Sequence, residues 1–202
     1  MDIKKIFIDG LYNIQNNNFE IDAETLNKFI ENYKTEILNI LEDQNVQAQV
    51  SKTINFLHLE KKNYLLSVPY LRILCEKFPN NTEIRFIIAK TYYHCGLYPL
   101  ALVSIESIPK KNYLLEHYQV LINIYLKTES FQKCLETTKQ IRLLEKINQT
   151  NTLIMIKCYL GLKKIEEAKI ELENLKNLNE DKNEIINHEI SEIETELQKH
   201  IS

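Results

Sequence analysis

The side chains that could do chemistry are present but scattered. The five histidines are His58, His94, His117, His188 and His200, and none forms an HxH or HExxH arrangement, so a helix-borne metal pair with its general base is not encoded. His94 and Cys95 are neighbours, but adjacent helix residues point roughly 100° apart and no further ligands accompany them. Cys75, Cys95, Cys134 and Cys158 lie 20, 39 and 24 residues apart without a CxxC pair, the spacing of small core hydrophobes rather than of a metal centre. Ser67 and Ser104 fall in helical patterns without the glycines of a nucleophile elbow. Glu166 and Glu167 are adjacent on a charged helical run, so their carboxylates do not converge for acid–base work. Gly96-Leu97-Tyr98-Pro99 lacks both GxxxxGK[ST] and GxGxxG and reads as an inter-helix turn whose Pro99 opens the next helix. The expectation is a protein that is not an enzyme, with no catalytic residue, metal or cofactor.

The elements that position these residues follow from composition and period. The 202 residues are 44% hydrophobic and 26% charged with only 3 Gly and 4 Pro, too apolar for disorder and too poor in turn residues for a many-stranded sheet protein. Helices are the remaining choice. A formal charge of -3 argues against phosphate-backbone binding, so no nucleic-acid partner is expected. Residues 164–202 hold 5 basic and 11 acidic side chains, the pattern of an exposed helical face. The start, MDIKKIFIDGLYNI, is broken by Asp9 and lacks a long apolar stretch, and no run approaches the ~20 apolar residues of a spanning helix. A cytoplasmic protein without membrane insertion is expected.

Residues 1–47 read as an N-terminal helical segment, with a bend at Asn16-Asn17-Asn18 and one periodic helix, AETLNKFIENYKTEILNILED, capped by Asp22. From residue 48 a two-helix pattern can be laid down four times, with starts near 48, 82, 115 and 149 and periods of 34, 33 and 34 residues. His58, Tyr92, Tyr125 and Tyr159 share one late position of the first helix, followed six residues on by Tyr64, Tyr98, Phe131 and Ile165. Three residues further come Ser67, Ala101, Cys134 and Ala168, small enough to let two antiparallel helices approach. Because the tyrosines recur at the period of the scaffold, they read as packing groups rather than as a base-stacking platform. Residues 181–202 contain NEIINHEISEIETELQKH, whose isoleucines at three- and four-residue steps suit a capping helix.

Over residues 48–180 the chain resembles the tetratricopeptide repeat family. The best unit is TEIRFIIAKTYYHCGLYPLALVSIESI, with Ala89, Tyr92, Gly96, Tyr98 and Ala101 at the family's offsets, and Pro79 matches its inter-repeat proline. TLIMIKCYLGLKKIEEAKIELENL matches through Tyr159 and Ala168, with Gly161 displaced from the usual turn. The first unit departs most, with Asn55 and His58 at positions normally small or aromatic. There Pro69 implies either a second helix that starts late, with Ser67 as cap, or a kinked one. Residues 64–108 are also similar to bacterial type III secretion translocator chaperones, and residues 64–141 to the N-terminal repeats of an anaphase-promoting-complex scaffold subunit.

The resemblance implies an all-α, superhelical solenoid of antiparallel helix pairs whose first helices line a concave groove. The groove residues it implies are Phe86, Lys90 and Tyr93, with His94 beside them, then Gln119, Asn123 and Lys127, with Leu126 beside them, then Leu153 and Lys157. Asn123 and Gln119 would hold an extended backbone, the lysines would attract acidic residues, and Phe86, Tyr93 and Leu153 would accept apolar anchors. The family's clamp for a partner's C-terminal carboxylate is not reproduced, since Phe56 and Ile87 stand where asparagines are needed. The implied function is non-catalytic binding of a protein segment, as an adaptor or chaperone. The alternative is a structural subunit of a homo-oligomer, such as a homodimer, or of a multiprotein assembly.

Overall fold

Asparagine and aspartate start most of the helices. The side chains of Asp2, Asp22, Asp43, Asn63, Asn81 and Asn148 each accept a backbone N–H from the first turn that follows them. In a computed structural model, residues 2–17, 21–179 and 183–199 are described. Asn18 of the asparagine run, the boundary expected at 181 and His200 lie outside the described residues. Those described form α1 (Ile3–Gln15), α2 (Ala23–Asn32), α3 (Lys34–Ile40), α4 (Gln44–Leu59), α5 (Tyr64–Lys77), α6 (Thr82–His94), α7 (Tyr98–Glu106), α8 (Leu115–Lys127), α9 (Phe131–Leu144), α10 (Gln149–Gly161), α11 (Ile165–Leu178) and α12 (Glu184–Lys199). The fold is all-α, and no described helix is long and apolar enough to cross a membrane.

The chain falls into two compact units, residues 1–112 and 113–202. In the first, α1 packs on α3 and α4, α2 on α3 and α5, and α4 through α7 each on the next. In the second, α8 through α12 pack in sequence, each helix on the next. The segment expected as one helix over 23–43 is two, broken at Tyr33, whose φ of -118° and ψ of 29° end α2 and begin α3. The break has a packing reason. Leu26 and Ile30 are buried from α2, which packs on α5, whereas Ile37 and Leu41 are buried from a helix that also faces α1, and one straight rod cannot serve both directions.

The four helix pairs α4/α5, α6/α7, α8/α9 and α10/α11 share one turn design. A residue in the left-handed region closes each first helix: Lys62, Gly96, Glu129 and Lys163, with φ of 51°, 73°, 52° and 57°. In the last three pairs the N–H after it reaches back five residues, from Leu97 to Tyr92 O at 2.9 Å, from Ser130 to Tyr125 O at 2.8 Å and from Lys164 to Tyr159 O at 2.8 Å. This is the Schellman closure, which satisfies carbonyls left over at a helix end. The first pair differs, because Asn63 N–H reaches Leu57 O at 2.9 Å, one residue beyond the equivalent His58.

Inside each pair the small residue is completely buried, as Ser67, Ala101, Cys134 and Ala168. Leu71, Ile105, Thr138 and Leu172, and then Leu74, Ile108, Ile141 and Leu175, come at the same intervals and are buried too. Pro69 lies inside α5, whose cap is Asn63 and not Ser67, so the helix starts before the proline and runs through it. Gly161 is the last residue of α10, and the Phe131 ring of α9 occupies the space a Cβ would need. That glycine is required by close approach rather than by a turn.

Two outcomes test this packing. Ala101→Leu overfills the closed space between α6 and α7 and lowers unfolding stability in urea by about 1–3 kcal/mol. Lys163→Gly relieves a left-handed residue that carries a Cβ and raises stability by about 0.5–1 kcal/mol on the same assay, the steric relief exceeding glycine's entropic cost.

Candidate functional site

The departure in the first helix pair builds a polar centre. Where the other pairs carry tyrosine, α4 carries His58, and its Nε2 lies 2.7 Å from Ser67 Oγ and 3.3 Å from Thr91 Oγ1. Both hydroxyl protons are already committed, Ser67 donating to Tyr64 O at 2.7 Å and Thr91 to Ile87 O at 2.8 Å. The imidazole must therefore be the donor to both oxygens, which assigns the proton to Nε2. Ser67 and His58 have the separation of a nucleophile and its base but the opposite direction of donation, and Ser67 is fully buried.

From His58 a continuous line of rings runs outward. His58 lies 5.1 Å from Tyr64, Tyr64 stacks on His94 at 4.4 Å and 15°, His94 meets Tyr93 edge-on at 5.3 Å, and Tyr93 lies 5.9 Å from Tyr98. On the same helix the Lys90 ammonium sits over the Phe86 ring, 4.8 Å from its centre, and just past the end of α4 Lys61 sits over Phe56 at 5.6 Å. Burial is the main cause that lowers the pKa of His58, with His94 and Lys90 adding to it. His94 is lowered likewise by burial first and then by Lys90 and Lys62. Both imidazoles are thus held neutral, and the positive charge of the patch rests on its lysines. Among the described residues Lys61, Lys62 and Lys90 form no ion pair, as is true of Lys5, Lys52, Lys110 and Lys111 of the same unit.

The groove residues expected from the sequence divide between the units. In the first unit Lys90 and Tyr93 are half-buried on α6 and belong to the ring and lysine patch, while Phe86 is buried beneath Lys90 and is the platform for its charge. In the second unit Gln119, Asn123 and Lys127 occupy every fourth position of α8, hence one face, with Gln119 and Lys127 exposed and Asn123 half-buried. Leu153 is half-buried on α10, and the Lys157 ammonium is held by Glu189 of α12 at 3.0 Å. That contact uses the charge expected to attract a partner.

Other polar groups, to which the sequence pattern gives no pointer, are structural. Arg142 of α9 grips Glu171 of α11 through two bonds of 2.9 and 2.8 Å and also donates to Thr152 of α10 at 3.0 Å, tying three helices together inside the second unit. Cys134 and Cys158 are buried, the Cys134 thiol donates to Ile122 O at 3.9 Å, and the neighbouring Cys134 together with burial pushes the Cys158 thiol up. In the first unit Tyr64 and Tyr98, packing groups by their spacing, also complete the ring line. The signal that could have found it is the loss of the tyrosine at His58, which places two histidines at 58 and 94 on either side of Tyr64. No family model matches the chain, and no curated protein matches it.

The histidine environment has a pH consequence. A base whose folded pKa is lowered binds its proton more readily in the unfolded chain, so stability is full above the unfolded histidine value of about 6.5 and falls as pH drops through it. The denaturant midpoint of the chain is expected to fall between about pH 7.5 and pH 5.5, and His94→Gln is expected to flatten that fall. An identical slope in the variant would show that His94 takes no part in it.

Proposed function

We propose that the chain is a non-catalytic protein-binding module, a cytoplasmic adaptor or chaperone of the tetratricopeptide kind whose helix pairs stack as a solenoid around a groove. Support for the repeat comes from the buried small residues and left-handed turns that recur at 34, 33 and 34 residues. The observation that carries the function is the patch on α6 and the α4–α5 turn: five rings in contact, beside Lys61, Lys62 and Lys90, which have no carboxylate partner among the described residues. Such a surface suits an extended segment that presents an acidic side chain next to an aromatic or aliphatic one. The lysines take the carboxylate and the ring edges take the apolar neighbour.

The second reading, a structural subunit of an assembly, draws on the end of α9, where Leu143 and Leu144 are 80% and 64% exposed and Ile147 beyond them is 56% exposed. Three large apolar groups so close together in the chain favour burial against another surface.

Selection of binding peptides from a random library on the purified chain distinguishes the two. The expected winners pair Asp or Glu with a neighbouring aromatic or leucine, and Lys90→Glu combined with Lys62→Glu weakens them at least about tenfold while reducing their salt dependence. Winners that lack acidic residues, or that bind the double variant equally well, would overturn the groove reading. A stable oligomer in sedimentation that selects no peptide would favour the assembly instead.

A further inference from the structure

A second feature of the first unit, on α1, α2 and α5, has no part in the peptide-binding reading. These helices line an open-mouthed cavity of about 390 Å³, within the size range of small-molecule sites. Its walls are mainly apolar, including Phe7, Ile14, Leu26 and Phe29. Tyr70 of α5 also lines it, edge-on to Phe7 at 6.1 Å and 62°. Tyr70 is 2% exposed, no described residue hydrogen-bonds its hydroxyl, and that oxygen is not fully enclosed, so it keeps an accessible edge. Burial pushes the phenol's pKa well up, so it remains a neutral donor at any physiological pH.

Gly10 lies in the middle of α1, where glycine is disfavoured relative to alanine. Its usual justifications are missing. Its φ is not positive, and a Cβ there would meet nothing within 4 Å. It does line the cavity, and its missing side chain leaves that wall low. The one charged side chain among the described lining residues is Asp9, which disfavours an anionic occupant.

We propose that this cavity is a binding site for a compact, uncharged, largely hydrocarbon or aromatic molecule carrying one hydrogen-bond acceptor, which takes the proton of the Tyr70 hydroxyl. The volume suits a molecule of one or two rings rather than a peptide. The unpartnered phenol supplies the single directional contact, and Gly10 supplies the room.

The probe is 6-propionyl-2-dimethylaminonaphthalene, a neutral naphthyl ketone whose emission shifts to the blue in an apolar site. Titration against the full chain is expected to give saturable, blue-shifted emission at one probe per chain. Gly10→Leu fills the low wall without meeting a neighbour at Cβ, so it keeps the helical circular dichroism and weakens binding at least about tenfold. Tyr70→Phe, nearly isosteric, weakens it about fivefold, the usual worth of one hydrogen bond. Absence of saturable binding, or equal affinity in folded Gly10→Leu, overturns the site. Equal affinity in Tyr70→Phe overturns the acceptor chemistry. Because none of these substitutions touches α6, retention of the selected peptides by both variants separates this site from the groove.

Discussion

Between the two helices of each pair stands a side chain no larger than a hydroxymethyl or thiol group: Ser67, Ala101, Cys134 or Ala168, all fully buried. The close approach this allows sets everything around it. Helices that pack tightly and antiparallel must be joined by a short turn, and a short turn requires one residue to enter the left-handed region and terminate the first helix. Only Gly96 does so without a Cβ; Lys62, Glu129 and Lys163 accept the strain. The carbonyls of Tyr92, Tyr125 and Tyr159 are then fixed as acceptors for the turn, which pins those residues at the end of their helices with the rings inside. Packing and turn chemistry therefore select the same period independently, and this agreement is what makes a sequence with only 3 glycines specify its chain reversals.

The first pair departs from the pattern at one member, and its neighbours change with it. With histidine in place of tyrosine the turn closes on Leu57 rather than on residue 58, and the small position becomes a serine able to meet the imidazole. Even half-buried, a lone imidazole would be costly, so its N–H is shared between Ser67 and Thr91, whose own protons are returned to backbone carbonyls. The ring is thereby locked in orientation. Tyr64, His94 and Tyr93 stack outward from a fixed base, so the surface they form loses little conformational freedom when something binds to it. The irregularity in the scaffold and the candidate site are consequences of one substitution.

The helices and their pairing were legible because they depend on periodic signals: apolar spacing, small residues and caps repeat, and repetition averages out local noise. The single helix expected over 23–43 was not legible as two, because its periodicity is continuous and only the divergent partners of Leu26 and Ile37 divide it at Tyr33. Pro69 is compatible with two readings in the sequence, and Asn63, a cap four residues before Ser67, settles them. Candidate groove positions could be assigned by offset, but offset says nothing about what a neighbour does to a charge. Lys157 and Lys90 hold the same place in the pattern, yet one is neutralised by Glu189 and the other lies over Phe86. The cavity beside Tyr70 was invisible for a related reason, since two of its three helices, α1 and α2, lie outside the repeat.

The acidic C-terminal run gains a physical meaning from these pairings. Glu189 holds Lys157, Glu194 and Glu173 share Lys176, and Glu166 holds Lys169, so much of the negative charge is balanced inside the second unit. Each exposed pair is worth only about 0–1 kcal/mol, too little to organise the fold. In the first unit three unpaired lysines lie beside one line of rings. Lys61, Lys62 and Lys90 surround rings that are already ordered, and the neighbouring histidines are kept neutral. A cation over a ring face is less hydrated than one in open water, so meeting a carboxylate there costs less desolvation than it would at an isolated surface lysine.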